Sequence, residues 1–160
     1  MTDLPEKLGA IAAAHDVFEA NSLRYALIGG VAVGIRSGVP RATLDVDFAV
    51  HTGVDLGALC VVLTAEGFAL KGRFPHSVNF VHVSGEPVQL AFDPGFDAFV
   101  ERAELLSFGA IQVRVVTKDD LIAMKRRAAS DPSRRRSKAL RDAADVALLE
   151  GDVPGENEGW

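Results

Sequence analysis

Cysteine is nearly absent from this sequence of 160 residues: Cys60 stands alone. No internal disulfide can form, and a zinc site built on cysteines would lack its ligands. The four histidines, His15, His51, His76 and His82, show no metal-ligand spacing among themselves. Long hydrophobic runs are also missing. None approaches the roughly 18 residues of a membrane span, and no basic, apolar and small-residue triad opens the chain. A reducing cytoplasm is the expected compartment, with no membrane partner. There is no surplus of positive charge either. The net charge of −5 argues against whole-body attraction to nucleic acid, though it leaves room for a local basic site. Internal repeats are not found. What remains is 48% apolar and 24% charged residues, the balance of a globular domain able to bury a core. We expect a single domain over residues 1–150 and a flexible, acidic, Gly- and Pro-bearing tail over 151–160, ending in Trp160.

Hydrophobic periodicity divides the domain. Leu4–Asn21 reads as an amphipathic helix with Pro5 in its first turn. Leu23–Ile28 reads as a strand, Val31–Ser37 as a helix, Leu44–Val50 as a strand and Val54–Glu66 as a helix stopped by Gly67. Phe68–Lys71 begins another strand. Val78–Val83 and Val88–Phe92 form a hairpin around Ser84-Gly85-Glu86-Pro87. A short helix over Phe96–Glu104 and a strand over Ile111–Val116 follow. Thr117 caps a helix running to about Ala129, and Ala139–Leu149 is the last helix. This order indicates an α+β (mixed α/β) plan rather than a doubly wound one.

The chemistry concentrates in Tyr25–Val50, YALIGGVAVGIRSGVPRATLDVDFAV. Gly29-Gly30 leads from a strand into a helix, where bare backbone N–H groups can hold phosphate. Asp45 and Asp47, alternate residues of a strand, point the same way. Two adjacent carboxylates raise each other's pKa unless a cation lies between them, and a divalent metal is the simplest such cation. The blander readings are a tight strand-to-helix turn and a solvated strand face. Two Asp in a strand otherwise made of Leu44, Val46, Phe48 and Val50 favour the metal.

Gly29-Gly30, a spacer and Asp45-Val46-Asp47 resemble the signature of the DNA polymerase β-like nucleotidyltransferase superfamily. More narrowly, the stretch is similar to the minimal nucleotidyltransferases related to AbiEii-type toxins of toxin–antitoxin systems. Arg41 and Thr43 precede the Asp pair as in that group. Asp120-Leu121-Ile122-Ala123-Met124-Lys125 and Arg141-Asp142-Ala143-Ala144-Asp145-Val146 extend the resemblance over most of residues 20–150. It implies a nucleotidyltransferase fold: a small mixed sheet flanked by helices, with the C-terminal helices packed on one side. It implies a hydroxyl of RNA, such as tRNA, or of a protein attacking the α-phosphate of a nucleoside triphosphate, with an antitoxin protein as a further partner. Asp45 and Asp47 would hold Mg²⁺ (or Mn²⁺), which takes oxygen ligands. Gly29, Gly30, Arg41 and Thr43 would bind nucleotide, and Lys125 and Asp145 would join Asp45 and Asp47 in the catalytic set.

One position departs from that pattern. The superfamily commonly places a third carboxylate on a neighbouring strand, where this chain has Val88-Gln89-Leu90-Ala91. Gln89 can donate and accept hydrogen bonds but is neither a base nor an anionic ligand. Asp93, four residues on, is roughly 13 Å away by strand rise. Two functions therefore stand side by side: an active enzyme, or a catalytically lapsed protein that still binds nucleotide or a partner. Smaller choices stay open as well. Arg41 is a turn residue or a phosphate contact, and Lys125 is a snorkelling lysine or a phosphate contact. Asp142 pairs on the helix surface with Lys138 at i, i+4, or belongs with the site. The basic run Arg134–Lys138, with Arg126, Arg127 and Arg141, is a solvated loop or a hold for RNA phosphates.

Overall fold

The computed structural model describes residues 4–41 and 43–155. The expected tail and Trp160 fall largely beyond them, since 156–160 lie outside the described residues. Among these residues six α-helices and seven strands follow in the order α1 (Leu4–Ala20), β1 (Tyr25–Ile28), α2 (Gly29–Ser37), β2 (Val46–Val50), α3 (Leu56–Ala65), β3 (Phe68–Phe74), β4 (Ser77–His82), β5 (Pro87–Ala91), α4 (Asp97–Arg102), β6 (Glu104–Phe108), β7 (Ile111–Val115), α5 (Lys118–Ala129) and α6 (Arg136–Leu149). The strands make one mixed sheet in the order β3-β4-β5-β2-β1-β7-β6. β2 pairs antiparallel with β1 and parallel with β5, so the short strand carrying Asp47 lies at the middle of the sheet.

Alternation along the strands gives the sheet two unlike faces. On one, Tyr25, Leu27, Val46, Phe48, Val78, Phe80, Val88 and Leu90 are all buried. α1 covers this face, and its Phe18 ring meets the rings of Tyr25 and Phe48 at 4.6 and 5.4 Å between centroids. Tyr25 is fully enclosed, yet its hydroxyl is satisfied: it donates to His15 Nδ1 and accepts from the Arg114 N–H. The other face carries Asp47, Gln89 and Asn79 in register across β2, β5 and β4. All three are only half-buried. α2 and α4 pack against β1 and β2, and α5 and α6 against α2, leaving these polar residues beside a wall of helices.

Most element boundaries agree with the sequence within a few residues. Thr117 caps α5, its side chain accepting from the Asp120 N–H at 3.2 Å. The 84–87 turn joins β4 to β5 as a hairpin. Three differences matter. The second helix begins at Gly29, so both glycines sit within its first turn rather than ahead of it. β2 begins at Val46, leaving Asp45 in the loop just before the strand. Finally, the short helix ends at Arg102, and Glu104–Phe108, of which only Glu104 was expected in that helix and the rest in no element, forms an edge strand hairpinned to β7 through Gly109 and Ala110. Gly109, with φ of 61°, supplies the left-handed backbone that two-residue hairpin loops demand.

Among the described residues no helix is long and apolar enough to cross a membrane.

Candidate active site

β1 runs straight into α2, and the junction is unusually bare. Ile28 stands at the N-cap and offers no side-chain hydrogen bond, so the first N–H groups of α2 have no capping oxygen. Such groups, aligned with the helix dipole, suit a phosphate. Gly29 has φ of 72°, a backbone state costly to other residues, and any Cβ there would collide with the Asp47 carboxylate. A Cβ on Gly30 would lie 2.6 Å from Arg41 Nη1 and 2.9 Å from Thr43 Oγ1. The two glycines thus make room for different neighbours. Gly29 lets a carboxylate come up to the helix start, and Gly30 lets Arg41 and Thr43 do the same. Thr43 also donates to the Asp45 carbonyl at 3.3 Å, tying the loop to itself just before the strand.

Asp47 sits in β2 between Ile28 of β1 and Gln89 of β5. Burial, and after it the charge of Asp45, push its carboxyl up to about 6. Lys125, Arg41 and Lys7 pull in the other direction without cancelling the rise. Among the described residues neither Asp45 nor Asp47 has an ion-pair partner. Two carboxylates held together with no direct counter-charge, at a bare helix start, are a fit for a cation that brings further oxygen ligands with it. No set of three or more His, Cys, Asp or Glu converges among the described residues. A metal on Asp45 and Asp47 would therefore complete its shell with substrate oxygens and water.

The wall beside this pair is the opposite in character. Asp142 and Asp145, one helical turn apart on α6, are each 2% exposed. Arg41 Nε donates to Asp145 Oδ1 at 2.5 Å. Lys125 Nζ donates to Asp142 Oδ1 at 3.2 Å and stands 3.2 Å from Asp145 Oδ2, and Arg134 Nε donates to Asp142 Oδ2 at 2.5 Å. Asp145 Oδ2 is buried and, despite that close ammonium, accepts no aligned hydrogen bond. Here the structure departs from two of the blander readings. Asp142 pairs with Lys125 and Arg134, not with Lys138. Lys125 does not snorkel to water: two carboxylates bind it within the protein, and its charge still reaches Asp47.

Gln89 is the direct cross-strand neighbour of Asp47. Asp93 lies beyond the end of β5 at Ala91, and its side chain caps the next turn, accepting from the Gly95 N–H at 2.9 Å.

Sequence reasoning missed a second brace. Lys7 Nζ donates to Glu86 Oε2 at 2.9 Å and to the Leu44 carbonyl at 3.2 Å, a buried pair linking α1, the start of β5 and the residue before Asp45. A lysine on a helix and a glutamate in a tight turn carry no sequence signal for such a contact 79 residues apart. A separate cleft of about 740 Å³ opens at the far end of β1, between Glu19, Arg24, Tyr25, Glu101 and Arg114. None of the expected site residues lines it.

Comparison with known proteins bears on the family and the fold. Residues 11–157 match the family described as nucleotidyl transferase AbiEii toxin, Type IV TA system. Among solved structures the fold is similar to the lincosamide antibiotic adenylyltransferase LnuA bound to lincomycin (TM-score 0.65, 13% identity, 95% of this chain and 99% of that one). It is similar to an antigenic nucleotidyltransferase-like protein from Paracoccidioides brasiliensis (TM-score 0.65, 20% identity, 96% and 80%). A putative nucleotidyltransferase from Thermotoga maritima also resembles it (TM-score 0.62, 12% identity, 95% and 97%). At these identities the likeness is one of fold. No curated protein matches the sequence.

Proposed function

This chain belongs to the AbiEii nucleotidyl transferase family, and we propose that it moves a nucleoside monophosphate from an NTP to a hydroxyl of RNA, such as tRNA, or of a protein. The observation that carries the reading is the Asp45–Asp47 pair, which has no ion-pair partner among the described residues, with the Asp47 carboxylate against Gly29 at the uncapped start of α2. Asp45 and Asp47 would hold Mg²⁺ (or Mn²⁺), and when bound the metal supplies charge neutralisation at the triphosphate. The chain's own groups do the rest. The N–H groups at Gly29 and Gly30 receive phosphate oxygens, and Thr43 keeps the loop bearing Asp45 in place. Arg41 and Lys125, fixed by Asp145 and Asp142, direct positive potential at the same point. Asp145 acts as a positioning residue in this scheme. The family's toxin description supports an antitoxin protein as partner, and NTP as donor supports a cytoplasmic setting.

The test is incubation with labelled NTPs, Mg²⁺ or Mn²⁺, total tRNA and total protein. We expect metal-dependent labelling of one acceptor class that disappears in Asp45→Ala/Asp47→Ala. Labelling no greater than in that variant sinks the proposal.

Gln89, level with Asp47 on the adjoining strand, favours a second reading in which the protein binds nucleotide without turning it over. Calorimetry that finds Mg²⁺–NTP binding but no transfer, unchanged in Gln89→Glu, supports that reading. Transfer appearing only in Gln89→Asp or Gln89→Glu shows an enzyme lapsed at one position.

A further inference from the structure

The half-buried polar row does not stop at Gln89. Asn79 of β4 lies opposite Gln89, and Gly72 of β3 lies opposite Asn79. With strands about 4.8 Å apart, Asn79 and Gly72 stand roughly 10 and 14 Å across the sheet from Asp47. The neighbouring row on the same face is Ala49, Ala91, Ser77 and Phe74. Its first three residues are small, giving a low floor, and Phe74 ends it with a large ring that is 55% exposed. The ring leans along the strand over Gly72: a Cβ at that position would be 3.3 Å from it.

A register shift between Leu70 and Gly72 creates this arrangement. Ala69 pairs with Val81 and Leu70 with Phe80, and without the shift Lys71 would oppose Asn79 and Arg73 would oppose Ser77. Two cations would then occupy the open face. The extra residue of the bulge brings Arg73 level with Val78, off that face, and puts Gly72 and Phe74 opposite Asn79 and Ser77 instead. Bulges commonly re-aim side chains beside functional sites, and this one exchanges charge for a slot and a flat apolar ring. A second observation points to a ligand. Asn79 Oδ1 is buried and has no hydrogen-bond partner, a cost that proteins seldom leave unmet.

We propose that the strip Gln89–Asn79–Phe74 is a nucleobase subsite. The base stacks on Phe74 in the space left by Gly72, and the Asn79 and Gln89 amides meet the hydrogen-bonding edge of the base. Aromatic rings suit any base through its π-face, and a carboxamide both donates and accepts, as a base edge does. The base comes either from the NTP donor or from the end of a single-stranded RNA acceptor, since both bring the same ring to the same phosphate centre. The proposal rests on Asp45, Asp47 and the α2 start forming the phosphate end of the site.

Calorimetry separates these cases with three probes: Mg²⁺–tripolyphosphate, Mg²⁺–NTP, and a short single-stranded RNA. Tripolyphosphate has no base and reads the phosphate centre alone, so its failure to bind the wild type counts against the proposed function rather than this subsite. Phe74→Ala and Asn79→Ala are expected to weaken one of the other two probes about ten- to a hundredfold. Phe74→Trp should retain affinity and show fluorescence quenching when the base stacks. Loss confined to NTP assigns the donor's base, and loss confined to RNA assigns the acceptor's. NTP and RNA affinities in both alanine variants equal to those of the wild type, with no quenching in Phe74→Trp, overturn the subsite.

Discussion

Two pairs of aspartates stand side by side in this protein, and their surroundings differ sharply. Asp142 and Asp145 are almost sealed from water and share Arg41, Lys125 and Arg134. Asp45 and Asp47 have no such partners, and Asp47 holds its proton up to about pH 6. The first pair is neutralised from within and braces two helices and a loop. The second is left with a charge that something from outside must balance. A carboxylate pair is thus informative less by its spacing than by whether the fold supplies its counter-charges.

The strongest way to break this contrast is to neutralise each pair in turn. Asp47→Asn is expected to cut transfer by about a thousandfold or more, the scale of losing a metal's charge stabilisation, while the melting temperature holds or rises. A clear fall in melting temperature would show that Asp47 is structural after all. Asp145→Ala is expected to act first on stability, and on transfer through the Arg41 and Lys125 that it holds. Leaving Arg41 and Lys125 short of a buried partner should cost about 3–5 kcal/mol, roughly a 10 °C fall in melting temperature at this chain length, measured by calorimetry. An unshifted transition would place Asp145 among the groups that touch substrate.

A smaller effect sharpens the comparison by pH. The Asp47 carboxyl is raised from 3.8 to about 6, so the folded protein takes up protons there more readily than the unfolded chain. Its contribution to stability is therefore best at low pH and falls as pH rises from about 4 to about 6. The fall is at most about 3 kcal/mol in metal-free protein. The measurement is the difference between wild type and Asp47→Asn across that range, since other carboxylates titrate there too. Added Mg²⁺ should reverse the loss above pH 6. A flat difference would mean that the pair is already balanced.

Much of this site could be read from residues alone, because its signals are local. Gly29-Gly30 marks a strand-to-helix turn, Asp45 and Asp47 are two apart, and Thr117 lies directly before its helix. What escaped was set by partners distant in sequence. Lys7 and Glu86 announce nothing until the fold brings them together beneath Leu44. The bulge at Leu70–Gly72 appears only in the pairing with β4. The β6 edge strand has no counterpart in the sequence reading because ELLSF suits either period over so short a run, and Gly109-Ala110 is its hairpin cue. Asp45 was placed in the strand by alternation, whereas the ladder starts one residue later.

The contact between Arg41 and Asp145 joins residues 104 positions apart. During synthesis the Gly-Gly turn, the Asp pair and Arg41 leave the ribosome roughly 5–20 s before the carboxylate that fixes Arg41. Until α6 arrives, Arg41 lacks Asp145 and Lys125 lacks both of its carboxylates. The last helix therefore acts as a timer: a nascent or truncated chain carries every residue of the motif without the organised centre.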